Sequence, residues 1–210
     1  MIGYNENDPM TPEFQLFAGN LALDFANTLD YRYDPRRRVE LLPNFESFVA
    51  FADQSGILSG GEAHKLLART SEQDAKRAIH QVLGFREALY FLFLSVVRGQ
   101  APRPLHLRAY NRFLSDVRVS DSITWQQRAF VLCTPDVAMS PCGPMRPIMD
   151  AANRLLTSPD RRHIGECRDK TCRWLFLDHS KNHSRRWCSM ALCGNRSKAR
   201  RFYAQVRRGA

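Results

Sequence analysis

Four cysteines close to the end of the chain, Cys167, Cys172, Cys188 and Cys193, constrain its fold more than any other feature. Their spacing reads C-x4-C-x15-C-x4-C, two close pairs separated by a span long enough to fold back. Two tight loops, each presenting two sulfurs, supply a complete tetrahedral set for Zn2+. Four filled positions leave no place for water or substrate, so an ion held this way organises the fold and performs no chemistry. The competing reading is a pair of disulfides. No N-terminal stretch combines a basic start with an apolar core, and the most apolar run, Leu89 to Val97, is too short to span a bilayer. The sequence therefore predicts a cytoplasmic protein with no membrane partner. Thiols stay reduced in that compartment, which favours one structural zinc over two disulfides. Cys133 and Cys142 stand outside the quartet and read as ordinary free thiols.

Charge divides the chain in the same place as the cysteines do. Residues 161–210 carry 14 Lys and Arg against Glu166, Asp169 and Asp178, a surplus of 11. The first 160 residues carry 17 against 18. A zinc bound by four thiolates has a formal charge of about −2, so some of the surplus neutralises the metal centre and the rest remains. A neutral body joined to a strongly basic module is the pattern of a nucleic-acid binder.

The body, residues 1–160, reads as a mainly helical domain. After a lead-in containing Asn5, Asn7, Pro9 and Pro12, Leu21, Phe25 and Leu29 recur at i, i+4 and i+8 and predict an amphipathic helix. Asp34-Pro35 ends it and Arg36, Arg37 and Arg38 form a basic loop. Phe45, Phe48, Val49 and Ala52 predict a second helix, and Glu62 to Ala68 a third. Ser71 caps the longest, in which Ala75, Ile79, Val82, Arg86, Leu89, Phe93 and Val97 trace one face until Gly99. Leu107 to about Asp116 is helical. Val117 to Cys133 alternates, and Trp125 to Leu132 reads as half of a hairpin. Ile148, Ala151, Ala152, Leu155 and Leu156 mark a last helix, closed by Ser158-Pro159-Asp160, where the domain boundary falls.

In the remaining segment, residues 161–210, the apolar run Arg173-Trp174-Leu175-Phe176-Leu177-Asp178 leaves the first cysteine pair as a strand. A polar, basic connection returns to Cys188. Beyond Cys193, Asn195 is placed to cap a helix whose apolar stripe is Ala199, Phe202, Tyr203 and Val206. Knuckle, hairpin, knuckle and helix is the layout of a treble-clef zinc module. The fold class is thus α+β and mainly helical: a multi-helical N-terminal domain with a small β-hairpin, plus a C-terminal treble-clef-like zinc module.

The string Cys-Gly-Asn-Arg at 193–196 follows Ser-Arg-Arg-Trp-Cys-Ser-Met and precedes Lys-Ala-Arg-Arg-Phe-Tyr. It resembles the CGNR zinc finger. Gly-Asn-Leu-Ala-Leu-Asp-Phe-Ala-Asn-Thr-Leu from Gly19 resembles the start of the ABATE domain that usually precedes that finger. The resemblance implies a bacterial transcription regulator, sometimes described as stress-induced, with a metal-bound DNA-binding C-terminus and the four cysteines as zinc ligands. It carries no role onto His179 or His183.

Arg185, Arg186, Arg196, Lys198, Arg200 and Arg201 are candidate phosphate contacts, which would give affinity without reading sequence. Some of them instead neutralise the thiolates. Two other functions compete with DNA binding. One is an RNA- or protein-docking module. The other is an HNH-like nuclease, suggested by Asp178-His179 and Asn182-His183 beside the zinc but disfavoured because both histidines lie within five positions, where such enzymes spread their catalytic residues over a longer unit. In the body, Asp24, Asn27 and Arg86 are polar groups in apolar company. They are candidates for binding a small-molecule effector, against a structural reading in which buried Arg86 pairs with Asp24. No nucleotide loop or nucleophile elbow appears, so catalysis is not expected. A homodimer would suit a regulator that reads paired half-sites.

Overall fold

The computed structural model describes residues 4–5, 8–118, 121–133 and 135–209. Asn7 and positions 119–120 of the alternating stretch lie outside them. The described chain runs β1 (Tyr4–Asn5), β2 (Asp8–Pro12), α1 (Leu21–Ala26), β3 (Leu29–Asp30), β4 (Val39–Glu40), α2 (Phe45–Gln54), α3 (Gly60–Arg69), α4 (Glu72–Val97), α5 (Pro104–Arg118), β5 (Ser122–Gln126), β6 (Ala129–Cys133), α6 (Met145–Thr157), β7 (Ile164–Glu166), β8 (Leu175–Leu177) and α7 (Asn195–Gly209). The strands form four antiparallel pairs, each of consecutive strands. The lead-in, read as loose, contributes the first pair.

Side-chain caps start α1, α2, α3 and α4, and of these Ser71 is the one named from the sequence. Asn20 accepts from Ala22 N, Asn44 from Ser47 N and Ser71 from Asp74 N, while Ser59 and Glu62 form a reciprocal capping box. α1 is shorter than its apolar spacing predicts. It stops at Ala26, and Leu29 belongs to β3, which pairs with β4 and closes the loop between them. Tertiary pairing outweighs the one extra helical turn.

α4 is the central element and packs against α1, α2, α5, α6 and β7. The stripe read from sequence understates its burial. Phe85, Arg86, Ala88, Leu89, Tyr90, Leu92, Phe93 and Leu94 are all buried, because helices cover several of its sides. Phe25 stacks on Phe85 at 5.7 Å between ring centroids and meets Phe51 at the same distance. Phe85 in turn stacks on Tyr110 at 5.9 Å. Aromatic rings therefore join α1, α2, α4 and α5 at the centre of the body.

The stretch read as half of a hairpin holds both strands. Ile123 faces Leu132 and Trp125 faces Phe130. Gln127 and Arg128 make the two-residue turn with φ of 49° and 63°, the left-handed pair required by a type I′ turn. The sequence lacks the Asn-Gly that normally announces such a turn, so the reversal was not visible in it.

Packing crosses the compositional boundary at 158–160. One continuous apolar cluster joins the body to Ile164, Trp174, Leu175, Phe176 and Leu177. β8 lies against α1, where Asn27 donates from Nδ2 to the Leu175 carbonyl at 2.8 Å and accepts from its N–H at 2.9 Å. Leu177 N donates to the Ala18 carbonyl at 2.7 Å. Gly165 faces Phe176 across the hairpin; a Cβ there would sit 2.7 Å from the ring, so only glycine lets Phe176 lie over its partner strand.

Candidate metal centre and its basic surround

The first cysteine pair occupies the tip of the β7–β8 hairpin. Cys167 N donates to the Trp174 carbonyl at 2.8 Å, continuing the ladder past the last strand residue. Inside the tip, Asp169 Oδ1 accepts from Thr171 N at 3.0 Å and from its hydroxyl at 2.7 Å, a side-chain turn that draws the loop tight. The Asp169 carbonyl accepts from Cys172 N and Arg173 N, and Arg173, at φ 60°, sends the chain back toward β8. In the second pair, Cys188 precedes and Cys193 lies within a single π-helical turn, Met190–Gly194, capped by Ser189. That turn runs directly into α7. Asn195 already has helical angles, φ −66° and ψ −40°, so it extends the helix and does not cap it as its position in the sequence suggested. Arg168 N donates to the Arg186 carbonyl at 3.0 Å and ties the two knuckles together.

Folding brings the four sulfurs within 4.8 Å of one another, and all four cysteines are buried. Cys172 and Cys188 Sγ are 3.5 Å apart, and Cys188 and Cys193 Sγ 3.6 Å. A Zn–S bond of about 2.3 Å in tetrahedral geometry gives sulfur separations of about 3.8 Å, close to those distances. A disulfide needs about 2.0 Å, and all six cysteines are free thiols, so the disulfide reading falls. The residues fit one structural zinc ion. Four buried sulfurs this close cannot all ionise without a cation between them, because their like charges repel. A divalent ion lets all four ionise and so adds directly to the stability of the fold.

The basic residues fall into two groups. Arg185 donates to the carbonyls of Phe17 (3.0 Å), Leu177 (3.3 Å), Trp187 (3.0 Å) and Cys188, and its guanidinium lies 4.5 Å from the Phe176 ring centre. It fastens the lead segment, β8 and the second knuckle together. Asp169 has a fully buried side chain and receives Arg200 at 3.2 Å and Arg196 at 3.7 Å, which seats the start of α7 on the first knuckle. Burial pushes the Asp169 carboxyl up, but hydrogen bonds from Thr171 and the charge of Arg200 outweigh it and hold the group below its ordinary value. Arg186, Lys198 and Arg201 are exposed, and none makes an ion pair with a described residue. Arg168, Lys170 and Arg207 share that condition and were passed over in the sequence reading, as was Asp169. The Asp-Lys-Thr side-chain turn between the first two cysteines was the available signal for Asp169.

The three polar residues of the body have internal partners. Asn27 is spent on Leu175. Arg86 makes a two-toothed contact with Glu40, 2.8 Å on one arm, and also meets Glu87 at 3.1 Å; it does not pair with Asp24 as the structural reading had it. Asp24 instead accepts from Ala18 N at 2.8 Å, with Arg185 nearby. His183 Nδ1 lies 2.9 Å from the Asp178 carbonyl oxygen and its ring stacks on His163 at 3.6 Å, while the Asp178 carboxylate accepts from Ser180 N and Arg185 N. These groups close a turn. Among the described residues, the metal-capable cluster is the four-cysteine one.

A helical body carrying a closed four-thiolate zinc module defines a zinc-finger protein of the structural kind. Residues 163–206 match the CGNR zinc finger, and residues 19–159 match the ABATE family, described as "Putative stress-induced transcription regulator". The second match spans more than half of the chain, which therefore belongs to the ABATE family. No curated protein matches it.

Proposed function

We propose that this chain is a zinc-dependent, DNA-binding transcription regulator whose zinc module holds DNA phosphates. One observation carries the reading: the module's cations divide into those used internally and an exposed set with no carboxylate partner among the described residues. Arg186, Lys198 and Arg201 belong to the exposed set, joined by Arg168, Lys170 and Arg207. Of the other candidates, Arg185 serves the fold and Arg196 and Arg200 orient α7 through Asp169. Asp24, Asn27 and Arg86 are assigned to holding the body together and not to an effector. The zinc fixes the two knuckles, and through them the direction in which α7 leaves the molecule. We assign no catalytic step to the chain.

Salt dependence tests this. With about five phosphates neutralised, log K for duplex DNA falls with log salt at a slope of about −4 to −5. Lys198→Ala and Arg201→Ala each make that slope shallower by about 1. Arg185→Ala leaves the slope unchanged while lowering thermal stability. A flat response, or tighter binding to structured RNA than to duplex DNA, overturns the reading in favour of a docking module of another kind.

A further inference from the structure

Cross-strand partners in an antiparallel pair point to the same side of the ribbon, and so do residues two apart along a strand. In the β5–β6 hairpin this collects Ile123, Leu132, Trp125 and Phe130 on one face. Ser122, Thr124, Gln126, Ala129, Val131 and Cys133 make up the other. The first face contains no charged group and is open to solvent: Ile123 is 70% exposed, Trp125 61%, Phe130 77% and Leu132 62%. Trp125 and Phe130 meet edge to face, with ring centres 4.8 Å apart, forming a preassembled aromatic pair. An isolated two-stranded hairpin is only marginally stable in water, and this one also holds two non-glycine residues in left-handed geometry at its turn. A ribbon of this kind needs a surface to pack on.

We propose that this face is the dimerisation surface of the protein and that its occupant is a second copy of the same face. Chemistry selects the partner. The ribbon from Ser122 to Cys133 offers a single cation, Arg128, so it has nothing to hold a phosphate backbone or an acidic peptide. The exposed apolar stripe of α7, Phe202, Tyr203 and Val206, is flanked by Arg200, Arg201 and Arg207 and would bring desolvated cations against an uncharged surface. The face itself is the uncharged match, and packing like on like about a twofold axis gives a closed pair. Two such ribbons stack at about 10 Å, the ordinary spacing of sheets packed face to face. Four side chains at these exposures offer on the order of 500 Å² per copy, and the pair buries about 1,000 Å², the threshold for a specific interface. The inference stands independently of what the zinc module binds.

Sedimentation velocity on the full, zinc-loaded chain from about 1 to about 100 µM tests it. The expected result is a monomer–dimer equilibrium, with Trp125→Glu and Phe130→Glu each raising the dissociation constant by roughly tenfold or more. Zinc content and far-UV circular dichroism are expected to stay unchanged in both variants, because the substituted side chains face solvent in the single copy. In the wild-type protein, amide exchange over 122–133 slows as concentration rises. A monomer throughout the range overturns the proposal. So does a dimer that survives both substitutions, an open-ended series of larger species, or concentration-dependent protection confined to another segment. If a variant loses helical signal, the exchange pattern of the wild-type protein decides alone.

Discussion

Asp24 sits at the junction of α1, the lead segment and the zinc module, and burial raises its carboxyl to about 6 against the pull of the Ala18 N–H and the Arg185 charge. A carboxyl raised in the folded state favours the fold when protonated, so its contribution is full below about pH 4 and is lost as pH climbs through 6. The shift corresponds to about 3 kcal/mol. Asp24→Asn keeps the acceptor for Ala18 and removes the ionisation. Denaturant melts of the two proteins should therefore show the variant gaining on the wild type between pH 4 and pH 7, by up to that amount, with no further gain above pH 7. A constant difference across the range would show that Asp24 ionises as freely in the fold as out of it. At this scale the sequence was most legible where chemistry is local. The cysteine quartet follows from its spacing, weighed against disulfides by the compartment the sequence predicts, and the Ser71 cap from the residues beside it. The Arg86–Glu40 and Arg185–Phe17 contacts span 46 and 168 positions, so no local pattern could assign them.

Between elements, the contact that most joins the two parts of the chain is the Asn27 amide on the Leu175 backbone, α1 to β8. It substitutes for a neighbouring strand at a hairpin that has only two. Asn27→Ala leaves a buried N–H and a buried carbonyl without partners, a loss of about 2–4 kcal/mol readable in urea unfolding. Asn27→Asp should be nearly as harmful, since it keeps the acceptor but removes the donor. A loss below about 0.5 kcal/mol in both would mean that water takes over the Leu175 groups at no cost. The helices themselves were largely readable, α2 and α4 from the period of their apolar residues and α4 also from its Ser71 cap. The β5–β6 reversal was not, since its Gln-Arg turn carries none of the residues that favour left-handed angles.

For the molecule as a whole, charge and composition divide the chain near residue 160, while the apolar core does not. The zinc holds the tip of a hairpin whose strands are already part of the body. Stripping the metal with a strong chelator should therefore do more than release α7. The thermal midpoint of the entire chain is expected to fall, on the order of 5–10 °C, within a single transition. A helical melt that keeps its midpoint, with a separate small transition for the last 50 residues, would show instead that the module stands on its own. The core's continuity was hidden because β7 and β8 are three residues each and lie in the most cationic part of the sequence.

The Arg185 guanidinium binds carbonyls from three separate stretches of chain, one of which ends in a metal ligand. Whatever displaces the lead segment near Phe17 must loosen the grip on Cys188 as well. Metal retention and the seating of that lead segment are therefore expected to be linked, and such a linkage acts equally in both directions.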